Sequence, residues 1–139
     1  MSLIVQKFGG SSVANAERIY NVADIITSTY KEGNDVVVVV SAQGDTTDDL
    51  IEKANEINPN ASKREMDMLL TIGEQMSVSL MAMVMHKLGV PAVSLNAFQV
   101  TMHTTSSHQN ARLKRIDTER IRRELDAHSF GVFTTGRFQ

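Results

Sequence analysis

The chain has no cysteine, no excess of positive charge and no unbroken apolar segment of membrane-spanning length. Without thiols, disulfides and thiolate metal sites are excluded. The four histidines, His86, His103, His108 and His128, are not spaced as a close ligand cluster, so no structural metal is predicted. A net charge of -2 supplies no basic field for nucleic acid or membrane surfaces. The start, "MSLIVQKF", carries neither a basic leader nor a small-residue cleavage pattern, so the expected location is the cytoplasm. What remains is ordinary: 139 residues, 42% of them hydrophobic and 22% charged, about one domain with a real core.

Apolar patterning predicts strands alternating with helices. Leu3–Phe8 reads as a first strand. After Gly9-Gly10, Ile19, Val22, Ile25 and Ile26 recur as on one helix face. The run Val36–Val40 is β-branched and apolar on both faces, as in a central strand of a parallel sheet covered on both sides. Leu50–Ala54 looks helical, and a long helix is expected from about Lys63 to Leu88, closed by Gly89 and Pro91. Its predicted inner face is Met66, Leu69, Leu70, Gly73, Met76, Ser77, Leu80 and Val84, with the methionines as adaptable filling. His86 is read as favouring the dipole at the helix end.

A short strand, Ala92–Leu95, precedes a polar stretch, Asn96–Lys114, that reads as a loop or a hairpin. Asp117 is a candidate N-cap, with Ile116 and Ile121 as a hydrophobic staple and Ile121 and Leu125 on one face of the next helix. Glu119 and Arg123 have the spacing of a salt bridge. "FGVFTTG" gives a fourth strand. The order predicts an α/β fold with a mainly parallel sheet and no internal linker.

Ligands in such sheets bind beyond the carboxyl ends of the strands, which directs attention to two loops. In "KFGGSS", Gly9 and Gly10 let backbone approach a ligand, Ser11 and Ser12 donate hydrogen bonds, and Lys7 brings a full charge. The helix that follows would add free amides and its dipole. A phosphoryl group suits that set, although the same residues also make an ordinary turn and cap. The lysine precedes the glycines, so this is neither a Walker A loop nor a dinucleotide fingerprint. In "SAQGDTTDDL", Ser41, Thr46 and Thr47 can hold carboxylate or phosphate oxygens, or Asp45, Thr46 and Thr47 can simply cap a helix. Glu74, beside Gly73 on the long helix, can hold an ammonium group or sit solvated at the edge of the apolar face.

Together "VQKFGGSSV", "VVVVVSAQGDTTDDL", "SKREMDMLLTIGEQMS" and "HQNARL" resemble the amino-terminal part of aspartate kinase, in the amino acid kinase family. The resemblance runs the length of the chain. It implies a three-layer α/β/α sandwich whose carboxyl-terminal half, with the "GRGGSD"-type segment and regulatory ACT domains, lies outside residues 1–139. It implies transfer of the ATP γ-phosphoryl group, with Mg²⁺, to the side-chain carboxylate of L-aspartate. Lys7 would stabilise the group in flight, Gly9, Gly10 and Ser11 would cradle ATP phosphates, and Ser41, Thr47 and Glu74 would bind aspartate.

There are departures. The family's "AGFQG" reads "TTGRFQ" here, with Arg137 before Phe138, and its "TGWQAG" reads "NAFQVT". The expected consequence of half a domain is a sheet with an open edge and bare apolar helix faces, covered in a homo-oligomer. With roughly half a kinase domain absent, residues 1–139 are not expected to be active alone, and two other readings stay open: a family member acting on another carboxylate or carbamate, and a non-catalytic fragment or partner that binds anions or pairs with a kinase subunit through its open edge.

Overall fold

The computed structural model describes residues 2–100, 102–127 and 130–134, the last as backbone. Its elements are β1 (Leu3–Phe8), α1 (Ala16–Lys31), β2 (Asp35–Val40), α2 (Thr46–Ile57), α3 (Lys63–Lys87), β3 (Ala92–Leu95), β4 (Met102–Thr104), β5 (Leu113–Ile116), α4 (Glu119–Asp126) and β6 (Phe130–Thr134). Four strands form one parallel sheet in the order β1-β2-β6-β3, and β4 and β5 form a separate antiparallel pair. The ambiguous polar stretch is therefore a hairpin excursion, leaving the sheet after β3.

The valine run explains the layering. Successive side chains of a strand face opposite ways, so Val36, Val38 and Val40 enter one core with Ile19, Val22 and Ile26 of α1 and Val78, Met81 and Met85 of α3. Val37 and Val39 enter the other, with Leu95, Val100, Ile121 and Leu125, the last two from α4. Helices thus cover both faces of β2, giving the three layers expected. Each fully buried Val, Ile or Met contributes about 1.5–3 kcal/mol of transfer free energy.

Local chemistry sets the helix ends. The Asn15 side chain accepts the Arg18 N–H at 3.0 Å and starts α1. The Ser62 hydroxyl accepts the Glu65 N–H at 3.3 Å and starts α3. At the other end of α3 Gly89 has φ +77°, Gly89 N–H donates to His86 O at 3.0 Å and Val90 N–H to Met85 O at 2.9 Å. That is a Schellman ending, satisfying carbonyls that the helix itself leaves open. The Lys87 ammonium lies 5.5 Å from the Tyr20 ring centroid, and its hydrogen bond with Tyr20 holds its pKa above the usual lysine value.

Several expectations are corrected. Ile25 is half exposed and Ala23 takes its place in the core, because positions 19, 22, 23 and 26 share the face that meets β2. The buried stripe of α3 is Asp67, Leu70, Gly73, Ser77, Val78, Met81, Ala82 and Met85, so Met76 and Leu80 face outward. His86 does more than favour a dipole: its Nε2 lies 2.6 Å from Ala92 O, tying the end of α3 to β3. Asp117 does not cap α4, whose N-cap is Thr118. Its carboxylate is taken instead by Arg115 Nε at 3.1 Å and His103 Nε2 at 3.3 Å. The i,i+4 pair on α4 is Arg120–Glu124 at 2.7 Å in place of Glu119–Arg123. Finally, α3 is long and apolar enough to cross a membrane by length and composition, contrary to expectation, but here one side of it forms core against the sheet. His128, Arg137 and Phe138 lie outside the described residues.

Candidate functional site

Three sequence motifs meet at Ala42, the buried second residue beyond β2. A Cβ placed on Gly10 would stand 2.6 Å from Ala42 O, so the turn after β1 passes the loop after β2 backbone to backbone. The Gly44 N–H donates to Gly10 O at 3.0 Å, and Gln43 Nε2 donates to Val13 O at 2.9 Å. From the other side α3 arrives at Gly73, where a Cβ would lie 2.9 Å from Ala42 Cβ and 3.4 Å from Thr46 Cγ2. Glycines at 10 and 73 are what let the two motifs close on the loop between them.

The site residues named from sequence lie around this junction. Lys7 is exposed near the carboxyl end of β1, in register with Val39 of β2. Gly9 has an extended backbone with φ -75° and ψ 171°, and its carbonyl accepts the Ser12 N–H at 3.1 Å. Ser11 is exposed on the turn that results. Ser41 directly follows β2, Thr47 lies in the first turn of α2, and Glu74 lies next to Gly73; all three are half-buried. The loop pair and the α3 step are therefore brought together, and Lys7 lies exposed near the end of β1, on the sheet face that bears Val39.

One element of the phosphate reading changes. Gly10–Val13 form a single turn of 3-10 helix, and α1 begins only at Ala16 with its first turn capped by Asn15. The amides nearest the glycine pair are those of the turn itself, and at the start of α1 the Asn15 carboxamide already takes the Arg18 N–H. Two residues escaped the sequence reading. Arg18 donates from its guanidinium to Ser11 O at 2.7 Å, which sets a second cation beside the glycine turn. Asp67, 1% exposed, is a buried carboxylate one stretch upstream of Glu74 on α3. The signal for Asp67 was an acid inside the apolar run "EMDMLLTI"; for Arg18 sequence offered none, since the contact depends on how the turn folds back.

Among the described residues no group of three or more acidic, histidine or cysteine side chains could hold a metal. What the arrangement offers is amides, hydroxyls and two cations, Lys7 and Arg18, at one end of the sheet, with the Glu74 carboxylate on α3, a set suited to a phosphorylated ligand beside an amino acid.

The sequence pattern of the amino acid kinase family matches residues 2–138. The chain belongs to the amino acid kinase family. It is 55% identical over 126 residues to an aspartokinase of Geobacillus stearothermophilus, covering 91% of this chain and 31% of that protein. It is 53% identical over 126 residues to an aspartokinase of Mycolicibacterium smegmatis, with 91% and 30% covered. The fold resembles the crystal structure of aspartate kinase from Synechocystis, with TM-score 0.79, 43% identity, and 94% of this chain and 21% of that one covered. It also resembles E. coli aspartokinase III, solved with aspartate and ADP, with TM-score 0.79 and 20% identity, covering 99% of this chain and 42% of that one; this likeness concerns the fold alone. The chain spans under a third of the length of these curated relatives, at 31% and 30%. As a member of that family it carries, within that third, the glycine turn, the loop after β2 and the acidic step of α3.

Proposed function

We propose that the chain is the amino-terminal part of an aspartate kinase catalytic domain and holds the aspartate pocket and part of the ATP phosphate site. The convergence of the glycine turn, the loop after β2 and the Gly73-Glu74 step on Ala42 carries this reading. In the reaction, a side-chain carboxylate oxygen of L-aspartate attacks the γ-phosphorus of ATP. The bond to the β–γ bridging oxygen breaks, and 4-phospho-L-aspartate and ADP result. A carboxylate is already ionised at neutral pH, so no strong base is needed. The demands are alignment and neutralisation of charge.

Lys7, an exposed ammonium near the carboxyl end of β1, meets the second demand. Gly9, Gly10 and Ser11 supply amides and a hydroxyl to phosphate oxygens. Ser41 and Thr47 orient the substrate carboxylates, and Glu74 takes the substrate ammonium. Mg²⁺ is read as arriving on the nucleotide phosphates, where it would neutralise charge, in keeping with its preference for phosphate and water oxygens. The same reading places the protein in the cytoplasm as a homo-oligomer, in the synthesis of the aspartate-derived amino acids.

The test is calorimetric titration of the folded chain with L-aspartate and with MgATP. Aspartate binding weakened about tenfold or more by Glu74→Ala is expected, the loss of one charge-assisted hydrogen bond. A folded sample that gives no heat with either ligand overturns the reading for this chain.

A further inference from the structure

Asp67 stands apart from the residues just assigned. Because α3 crosses from the carboxyl end of β2 back to the start of β3 and meets Ala42 at Gly73, its first turns rise beyond the strand ends. Asp67 is on those turns. It precedes Glu74 by two helical turns, so the two carboxylates share a face of α3, about 10 Å apart along the axis at about 1.5 Å per residue.

The same region receives the β4–β5 hairpin. That excursion leaves the sheet at the carboxyl end of β3, and its mouth is closed by Thr105 N–H to Arg112 O and Arg112 N–H to Thr105 Oγ1, both at 2.9 Å. Its tip crosses to α3, where Asp67 Oδ2 accepts the Gln109 N–H at 2.9 Å and lies 3.5 Å from His108 Nδ1. Gln109 has φ +62°, the one left-handed non-glycine among the described residues. Asp67 is 1% exposed, and its Oδ1 has no hydrogen-bond partner among the described residues. A buried carboxylate with one oxygen unserved, clasping a strained turn, costs stability, and an apolar residue would pack there more cheaply.

We propose that Asp67 is a positioning residue for the aspartate pocket: by holding Gln109 and His108 it fixes the hairpin as a wall over the stretch of α3 that carries Glu74. The inference rests on the aspartate-kinase reading above. Asp67 touches no substrate in this account. It acts through the hairpin.

The experiment measures L-aspartate affinity by calorimetry, Gln109 amide exchange by NMR and the unfolding midpoint, for the wild-type chain and for Asp67→Ala, Asp67→Asn and His108→Ala. Asp67→Ala is expected to speed Gln109 exchange and to weaken aspartate binding, each by about tenfold. Asp67→Asn keeps an acceptor for the Gln109 N–H and is expected to recover most of both. His108→Ala, a change on the surface of the hairpin that leaves α3 intact, is expected to weaken binding about threefold and carries the test if Asp67→Ala does not fold. Faster Gln109 exchange with unchanged aspartate affinity overturns the proposal and leaves Asp67 a structural clasp. A wild-type chain that binds no aspartate overturns the functional reading and this inference together, whereas binding indifferent to every one of these variants overturns the inference alone.

Discussion

Gly9 and Gly10 are adjacent and identical, yet the fold uses them differently. A Cβ on Gly10 meets a backbone carbonyl at 2.6 Å, which cannot swing aside, whereas a Cβ on Gly9 meets nothing within 4 Å and the φ there is -75°. Gly10→Ala is therefore expected to lose about 1–3 kcal/mol and to loosen the Gly44-to-Gly10 hydrogen bond, as overpacking against fixed atoms does. Gly9→Ala should stay within about 0.5 kcal/mol. Urea midpoints of the two variants decide it, and equal losses would mean that the close approach to Ala42 is wrong. From sequence, paired glycines after a strand announced a place where backbone comes close. Which glycine met which atom depended on Ala42, which is 32 residues further along and exerts no local signal. Lys7 shows the reverse case. It is exposed, so Lys7→Ala should leave stability within about 0.5 kcal/mol, while in a full-length relative the matching change should lower turnover far more than aspartate affinity. A fall in affinity alone would remove its role on the transferring group.

Among the elements, α3 separates what periodicity reveals from what it conceals. Its ends were legible, since Ser62, Gly89 and Pro91 act within a few residues of themselves. Ser62→Ala should accordingly cost about 1 kcal/mol, read as a lower thermal midpoint. Its inward face was not legible, because apolar residues surround most of the helix and the 3.6-residue period cannot choose among them. The choice falls to Gly73, the point at which the helix can approach Ala42. That contact turns Met81 and Met85 fully inward and leaves Met76 45% exposed. Met81→Ala should then cost about 2–5 kcal/mol and Met76→Ala much less. Comparable losses at the two positions would contradict the observed rotation of α3. Asp117 differs from its sequence pattern for a related reason: a capping residue and an ion-pair partner look alike in sequence, and here Arg115 on the adjoining strand and His103 across the hairpin claim the carboxylate.

For the whole molecule, the α/β order and the two-faced central strand followed from the valine run and the spacing of the helices, while the open surfaces followed from neither. β1 is an edge of the four-stranded sheet, and Leu3 and Val5 on it are exposed, on the face that bears Val37 and Val39 of β2. The outer side of α3 presents Met68, Ile72, Met76, Leu80 and Met83 within about a third of the helix circumference. Both surfaces favour association, but the hydrophobic effect grows with apolar area, and five large side chains on α3 outweigh two on β1. Sedimentation velocity over a concentration series is therefore expected to show reversible self-association that Ile72→Glu with Met76→Glu suppresses and Val5→Lys reduces only partly. The charges on α3 are placed where the native side chains already face water, so these variants should fold as the wild type does. If Val5→Lys alone abolishes association, the contact runs through the sheet edge, where main-chain hydrogen bonding rather than buried area sets the strength.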